Sequence, residues 1–171
     1  RFTFSLKAPQ RVTHFAKLQN CAETLNYFFG LIQGLEDKLG PILFQLPPTF
    51  KKDAQVFRAF LADLPHGLRA AFEFRHESWF DAEIFESLRA YNAALCIAES
   101  ADLSTPVVAT ANFGYLRLRR EDYLPADITR WADILCSHAN NWSDAFVYFK
   151  HEEHAIGPKL AAELMKNLQV D

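Results

Sequence analysis

The run Ile42-Leu-Phe-Gln-Leu46 lies between Gly40-Pro41 and Pro47-Pro48 and is apolar at every position but Gln45. A strand with no polar face must be covered on both sides, which is the situation of a parallel strand flanked by helices. The flanking segments fit that setting. Residues 21–39 predict a helix with the stripe Leu25, Phe28, Phe29, Ile32, Leu35 and Leu39, and Asn20 with Glu23 supplies a capping box. Asp53 caps a second helix bearing Val56, Phe57, Phe60, Leu61 and Leu64.

The alternation continues to the end of the chain. Residues 68–75 predict a strand, Asp81 opens a helix carrying Ile84, Phe85 and Leu88, and residues 94–98 return to strand. Residues 106–110 read as a strand remnant or a loop. A strand over 113–118, a helix with Ile128, Trp131 and Leu135, a strand over 145–150 and a helix starting near Pro158 complete the pattern. With the opening strand, Arg1–Lys7, this predicts an α/β fold of parallel strands. No GxGxxG or GxxxxGK[ST] follows any strand, so a nucleotide-binding open sheet loses its strongest support. Polar residues at the ends of several strands suit a TIM-barrel-like (β/α)8 fold, whose sites collect there. A complete barrel takes about 250 residues. The 171 residues here, which begin inside a strand, therefore predict a single partial barrel domain over 1–171, without its first one or two βα units.

Charge recurs with a period of two at several strand ends. In FEFR (72–75), Glu73 and Arg75 share one face; in YLRLRR (115–120), Arg117 and Arg119 do. VYFK (147–150) ends in Lys150. Strands otherwise built of Phe, Leu and Ala carry paired charge where they lead into a site, so the pattern predicts a pocket at the C-terminal ends of parallel strands. Eighteen basic against 21 acidic residues give a net charge of −3, which disfavours nucleic acid as the main partner. Cys21, Cys96 and Cys136 are too scattered for a disulfide framework or a thiolate metal site. No apolar run approaches the roughly 20 residues of a membrane helix. A cytoplasmic location is the expectation, and the sequence sets no oligomeric state.

The motifs FSLKAPQRVTH (4–14), GPILFQLPPTF (40–50), AFEFRHESW (71–79), YLRLRR (115–120) and VYFKHEEHAIGPKLAAEL (147–164) resemble, in the same order, those of the DUF72 family, also called YecE-like proteins. The resemblance covers essentially the whole chain, and LFQLPP and EFRHESW are its most specific pieces. It implies a TIM-barrel fold that begins with a βα unit and a second, Glu-bearing strand not present in this chain. It implies no established activity. Two departures stand out: Arg119-Arg120 replaces a His-Gly pair, and Lys150-His151 replaces two Asn residues. The resemblance therefore implies either a more cationic pocket than in the relatives or positions that do no chemistry.

The residues themselves nominate a site. Lys7 can hold a phosphate or carboxylate or act as a base if desolvated, and His14 can transfer a proton near neutral pH. Glu73 is the candidate general base, with Lys7 and His14 as the other candidate catalytic groups; a buried Glu73–Arg75 pair with a purely structural role is the competing reading. Gln45, Arg75, His76, Trp79, Glu99, Arg117, Arg119, Lys150 and His154 are the candidate substrate-binding residues, Trp79 as a flat apolar wall or else a core tryptophan. Arg120 faces away if its strand continues. The loop 150–154 leads to a helix N-terminus that can receive an anion. His14, Glu73, His76, Glu99, His151 and His154 offer enough donors for a divalent metal, but HExxH and Cys/His zinc spacings are absent and no cofactor is predicted. The leading expectation is an enzyme acting on a small anionic or phosphorylated substrate, with hydrolysis as the default reaction. The alternative is a non-catalytic protein that binds nucleic acid or another polyanion.

Overall fold

The computed structural model describes residues 2–100, 103–149 and 156–169. Six parallel strands form one curled sheet in strictly sequential order: β1 (Phe4–Lys7), β2 (Leu39–Gln45), β3 (Ala70–Glu73), β4 (Ala94–Glu99), β5 (Phe113–Leu118) and β6 (Asp144–Phe149). Helices α1 (Ala22–Ile32), α2 (Ala54–Ala62), α3 (Ala82–Ala90), α4 (Pro125–Ser137) and α5 (Ile156–Leu168) lie between or after them. Sequential parallel order with helical crossovers is the winding of a (β/α)8 barrel, here an incomplete one. Among the described residues β1 and β6 form its two edges.

Each strand presents alternate residues to opposite faces. The outer face packs against the helices through Phe44, Phe57, Phe60, Phe72, Phe74 and Trp79, all 0–1 % exposed. Phe44 stacks on Phe72 at 5.1 Å between centroids, and Phe57 meets Phe72 edge-on at 5.0 Å. Phenylalanines from the sheet and the helices thus build this helix–sheet layer largely from stacked and edge-to-face pairs. The inner face mixes small and aromatic residues: Leu43, Ala71, Ala94, Cys96, Ala98, Phe113 and Tyr115 form its buried cluster. At the N-terminal end of the strands, Arg69 lies against the rings of Phe113 and Phe146 and donates to Asp144 at 2.5 Å.

Local signals were obeyed where a side chain had a backbone donor to reach. Asp53 and Asp81 both cap as expected, accepting from the amides of Val56 and Ile84 at 3.0 Å. The first long helix departs from expectation. Asn20 takes a left-handed φ of 50°, Cys21 becomes the N-cap without a side-chain bond, and the helix ends at Ile32 before a 3-10 turn over Gln33–Lys38. Strand β3 stops at Glu73, so Arg75 lies beyond it, exposed. The segment 106–110 is a loop; Thr110 Oγ1 accepts from the Leu95 amide at 2.7 Å and so anchors it to β4.

Gly114 on β5 has no room for a side chain: a Cβ there would lie 2.8 Å from the ring of the buried Trp142. Gly114→Ala is expected to lower stability by about 1–3 kcal/mol, the usual cost of overpacking. Urea unfolding of the two proteins, followed by circular dichroism, measures that difference.

Candidate functional site

The C-terminal ends of β1, β2, β3 and β5 converge on one chain of polar contacts. Lys7 Nζ donates to Gln45 Oε1 at 2.7 Å, and Gln45 Nε2 donates to Glu73 Oε1 at 2.8 Å. Glu73 Oε2 receives the guanidinium of Arg117 and, at 3.9 Å, the thiol of Cys96. The register brings this about: Gln45 and Glu73 are direct partners across β2 and β3, and Arg117 and Cys96 occupy inward positions of β5 and β4. Glu73 is 1 % exposed and Gln45 6 %, whereas Lys7 reaches solvent.

The surroundings of Lys7 are strongly positive. Burial of its stem pushes its pKa below the usual 10.5, Arg117, Arg119 and Arg75 push the same way, and Glu73 opposes them. Partial burial, then Lys7 and Arg75, also lower His14, which stays neutral near pH 7. His14 lies in the turn Arg11–Phe15 after β1, its Nδ1 2.8 Å from Thr13 Oγ1. The mouth therefore gathers Lys7, Arg75, Arg117 and Arg119 around a single buried carboxylate, with His14 on its border. Arg117 is kept charged through its contact with Glu73 despite its own desolvation.

Several other expected site residues have partners of their own. Trp79 is not a wall of the mouth: it is 0 % exposed, stacks on Phe74 at 4.8 Å and donates its indole N–H to the Phe50 carbonyl at 2.7 Å. Glu99 ends β4 on the outer face. There it accepts from Tyr123 Oη at 2.9 Å, Arg130 at 2.9 Å and Trp131 Nε1 at 3.1 Å, so it ties the sheet to α4 and its preceding loop. His76 caps the short turn Glu77–Trp79 by accepting from the Ser78 amide at 3.2 Å. Arg75 and Glu73 do not pair: Arg75 lies beyond the end of β3, and Glu73 is taken by Arg117 and Gln45. Arg120 turns outward to Asp122 and Asp127. Lys150 and His154 fall outside the described residues. Among the described residues no group of three His, Cys, Asp or Glu side chains is arranged to hold a metal.

A layer beneath the mouth went unnoticed in the sequence. Ser5 Oγ donates to the Pro41 carbonyl at 3.0 Å and lies 3.2 Å from Tyr115 Oη, whose ring contacts Tyr148 at 5.2 Å. Burial raises both tyrosines, which remain neutral hydroxyls. Counting back two residues from Lys7 and Arg117 would have placed Ser5 and Tyr115 on the same inner face.

These features define an α/β protein with a half-barrel sheet and a cationic mouth. The chain belongs to the family described as "Protein of unknown function DUF72", whose model matches residues 1–171. It is similar to the crystal structure of a DUF72 family protein from Thermotoga maritima, with a TM-score of 0.87 and 22% identity over 98% of this chain and 74% of that one. A DUF72 family protein from Enterococcus faecalis gives a TM-score of 0.81 at 15% identity, over 99% of this chain and 75% of that one. Among curated proteins none matches the chain. No helix among the described residues is long and apolar enough to cross a membrane.

The charge chain makes Lys7 a reporter of its neighbours. Its lowered pKa adds stability that is present above pH 10.5 and lost as pH falls through the folded-state value. Arg117→Met removes a repelling cation and frees the Glu73 carboxylate, so the Lys7 titration midpoint should rise. Glu73→Gln removes the attracting charge, so the midpoint should fall. Competitive labelling of the amine with acetic anhydride across alkaline pH, read peptide by peptide, gives both signs.

Proposed function

We propose that the barrel mouth binds a small anionic or phosphorylated compound and acts on it as an enzyme. The observation that carries this reading is the imbalance of charge: Lys7, Arg75, Arg117 and Arg119 act on one another around the buried Glu73, whose carboxylate is already engaged by Arg117 and Gln45. An anion placed among them would receive charge-assisted hydrogen bonds from the exposed Arg75 and the half-buried Arg119.

The carboxylate is not the proton-moving group in this reading. Both Glu73 oxygens are occupied from within the protein, and 1 % exposure leaves substrate no approach to them. Glu73 positions Gln45 and Arg117, and the proton-moving role passes to His14 and Lys7. Hydrolysis, the default reaction for such a substrate, loses its expected base.

Part of the positive charge outside the mouth is neutralised, which favours a small ligand over a polyanion. Lys52 contacts Asp81 and Glu83, Arg58 contacts Glu83, Arg120 contacts Asp122 and Asp127, and Arg130 contacts Glu99. Arg11, Lys17, Lys51 and Arg89 have no ion pair among the described residues, so only the paired cations are withdrawn from a track for a phosphate backbone. Calorimetric titration with inorganic phosphate tests the reading. Arg75→Met and Arg119→Met should each weaken binding about tenfold, the effect of losing roughly 1.4 kcal/mol of charge-assisted contact. Arg58→Met, outside the mouth, should leave it unchanged. Equal affinity in all four proteins, or no binding to any, would sink the proposal.

A further inference from the structure

The contacts of Lys7 differ in kind from those of the other mouth cations. Arg117 is neutralised by a carboxylate, whereas Lys7 is held by a neutral amide oxygen, Gln45 Oε1, at 2.7 Å. That amide is fixed in turn, because its nitrogen donates to the buried Glu73 at 2.8 Å. The amine is therefore oriented through Gln45 without the direct ion pair that would lock it as ammonium. Arg117, Arg119 and Arg75 lie near enough to disfavour its charged form, and Glu73, which meets it through Gln45, opposes them. If the ligand needed only positive charge, the guanidiniums of Arg75 and Arg119 would provide it, and they hold anions with better geometry than an amine does. A lysine next to other cations, tethered by a neutral acceptor and open to solvent, has the arrangement that turns an amine into a nucleophile.

Resting on the anion-binding reading above, we propose that Lys7 is a carbonyl-reactive nucleophile, and that the substrate class is an aldehyde or ketone carrying a phosphate or carboxylate. The anionic group would lie against Arg75 and Arg119, with the carbonyl carbon toward Lys7 Nζ. The lone pair of neutral Nζ attacks that carbon, a C–N bond forms, and the carbonyl π electrons move to oxygen, which takes up a proton. The resulting hydroxyl leaves as water after a second protonation, while the nitrogen lone pair forms the C=N bond. Amine, carbonyl and one proton thus become a protonated imine and one water, with one amine proton lost along the way. No oxidant or reductant is needed. In this proposal His14, near enough for Lys7 and Arg75 to act on its charge, takes the amine proton and returns it to the departing hydroxyl. The lowered pKa of Lys7 enlarges the neutral fraction this step requires.

Reductive trapping tests the assignment. The protein is incubated near pH 8 with glyoxylate or glycolaldehyde phosphate and sodium cyanoborohydride, which adds hydride to the imine carbon and fixes it as a secondary amine. Peptide mapping then locates the adduct among all the lysines of the chain, with and without excess inorganic phosphate. The expected result is an adduct concentrated on the Lys7 peptide, suppressed by phosphate and absent in Lys7→Arg, while Lys7→Arg still binds phosphate in the calorimeter. Label spread evenly over the surface lysines, with phosphate binding intact, would overturn the nucleophile and leave the anion site standing. A Lys7 adduct that phosphate neither suppresses nor accompanies with measurable binding would overturn the anion site and, with it, the proposed substrate class.

Discussion

A carboxylate with 1 % exposure needs its charge answered on every side, and Glu73 obtains its partners from three other strands: Gln45 on β2, Cys96 on β4 and Arg117 on β5. Losing one partner of such a buried group costs several kcal/mol, so the contacts act as a lock on the register of the sheet. A one-residue slip of β2 against β3 would carry Gln45 to the outer, phenylalanine-lined face and leave Glu73 without its neutral donor. The site and the curvature of the sheet are thus one problem. The residues that close the polar chain also hold four strand ends close enough to make a mouth.

The two glutamates that end neighbouring strands show how much the face decides. Glu73 and Glu99 terminate β3 and β4, but Glu73 points inward and Glu99 outward. On the inner face the carboxylate meets Gln45 and Arg117 and sets the electrostatics of the mouth. On the outer face it is taken by Tyr123, Arg130 and Trp131, and links the sheet to α4 and the loop before it. Position at a strand end is therefore not enough to assign a site role to a charged residue. Its parity relative to the strand's other side chains must be known as well.

Parity was readable in some strands and hidden in others. In β5, Tyr115 and Arg117 alternate with the buried Leu116 and Leu118, and the inward face could be read directly from the charges. In β4 the run Ala-Leu-Cys-Ile-Ala is apolar on both faces, which identifies a parallel strand and for the same reason conceals which way Glu99 points. Trp79 follows β3 in a short 3-10 turn, where no period of two applies; tertiary packing against Phe50, Phe57 and Phe74 decided its direction. The capping of α2 and α3 by Asp53 and Asp81 was legible because the side chain and the amide it accepts from are three residues apart. Asn20 failed as a cap because its own backbone turns left-handed.

A chain with a net charge of −3 does not attract anions by its overall field, so any affinity for them has to be local. Outside the mouth Lys52, Arg58, Arg69, Arg120 and Arg130 are paired with carboxylates, whereas Arg75, Arg119 and Lys7 have no carboxylate partner among the described residues. At a partly desolvated mouth each such charge counts for more than it would on an open surface, since the effective dielectric is lower. The same crowding works against the ammonium form of Lys7, the one member of the group able to give up its proton, since the guanidiniums cannot. On the proposed reading, concentrating positive charge has two linked effects: it would draw in an anionic ligand, and it would release a nucleophile at the place where that ligand arrives.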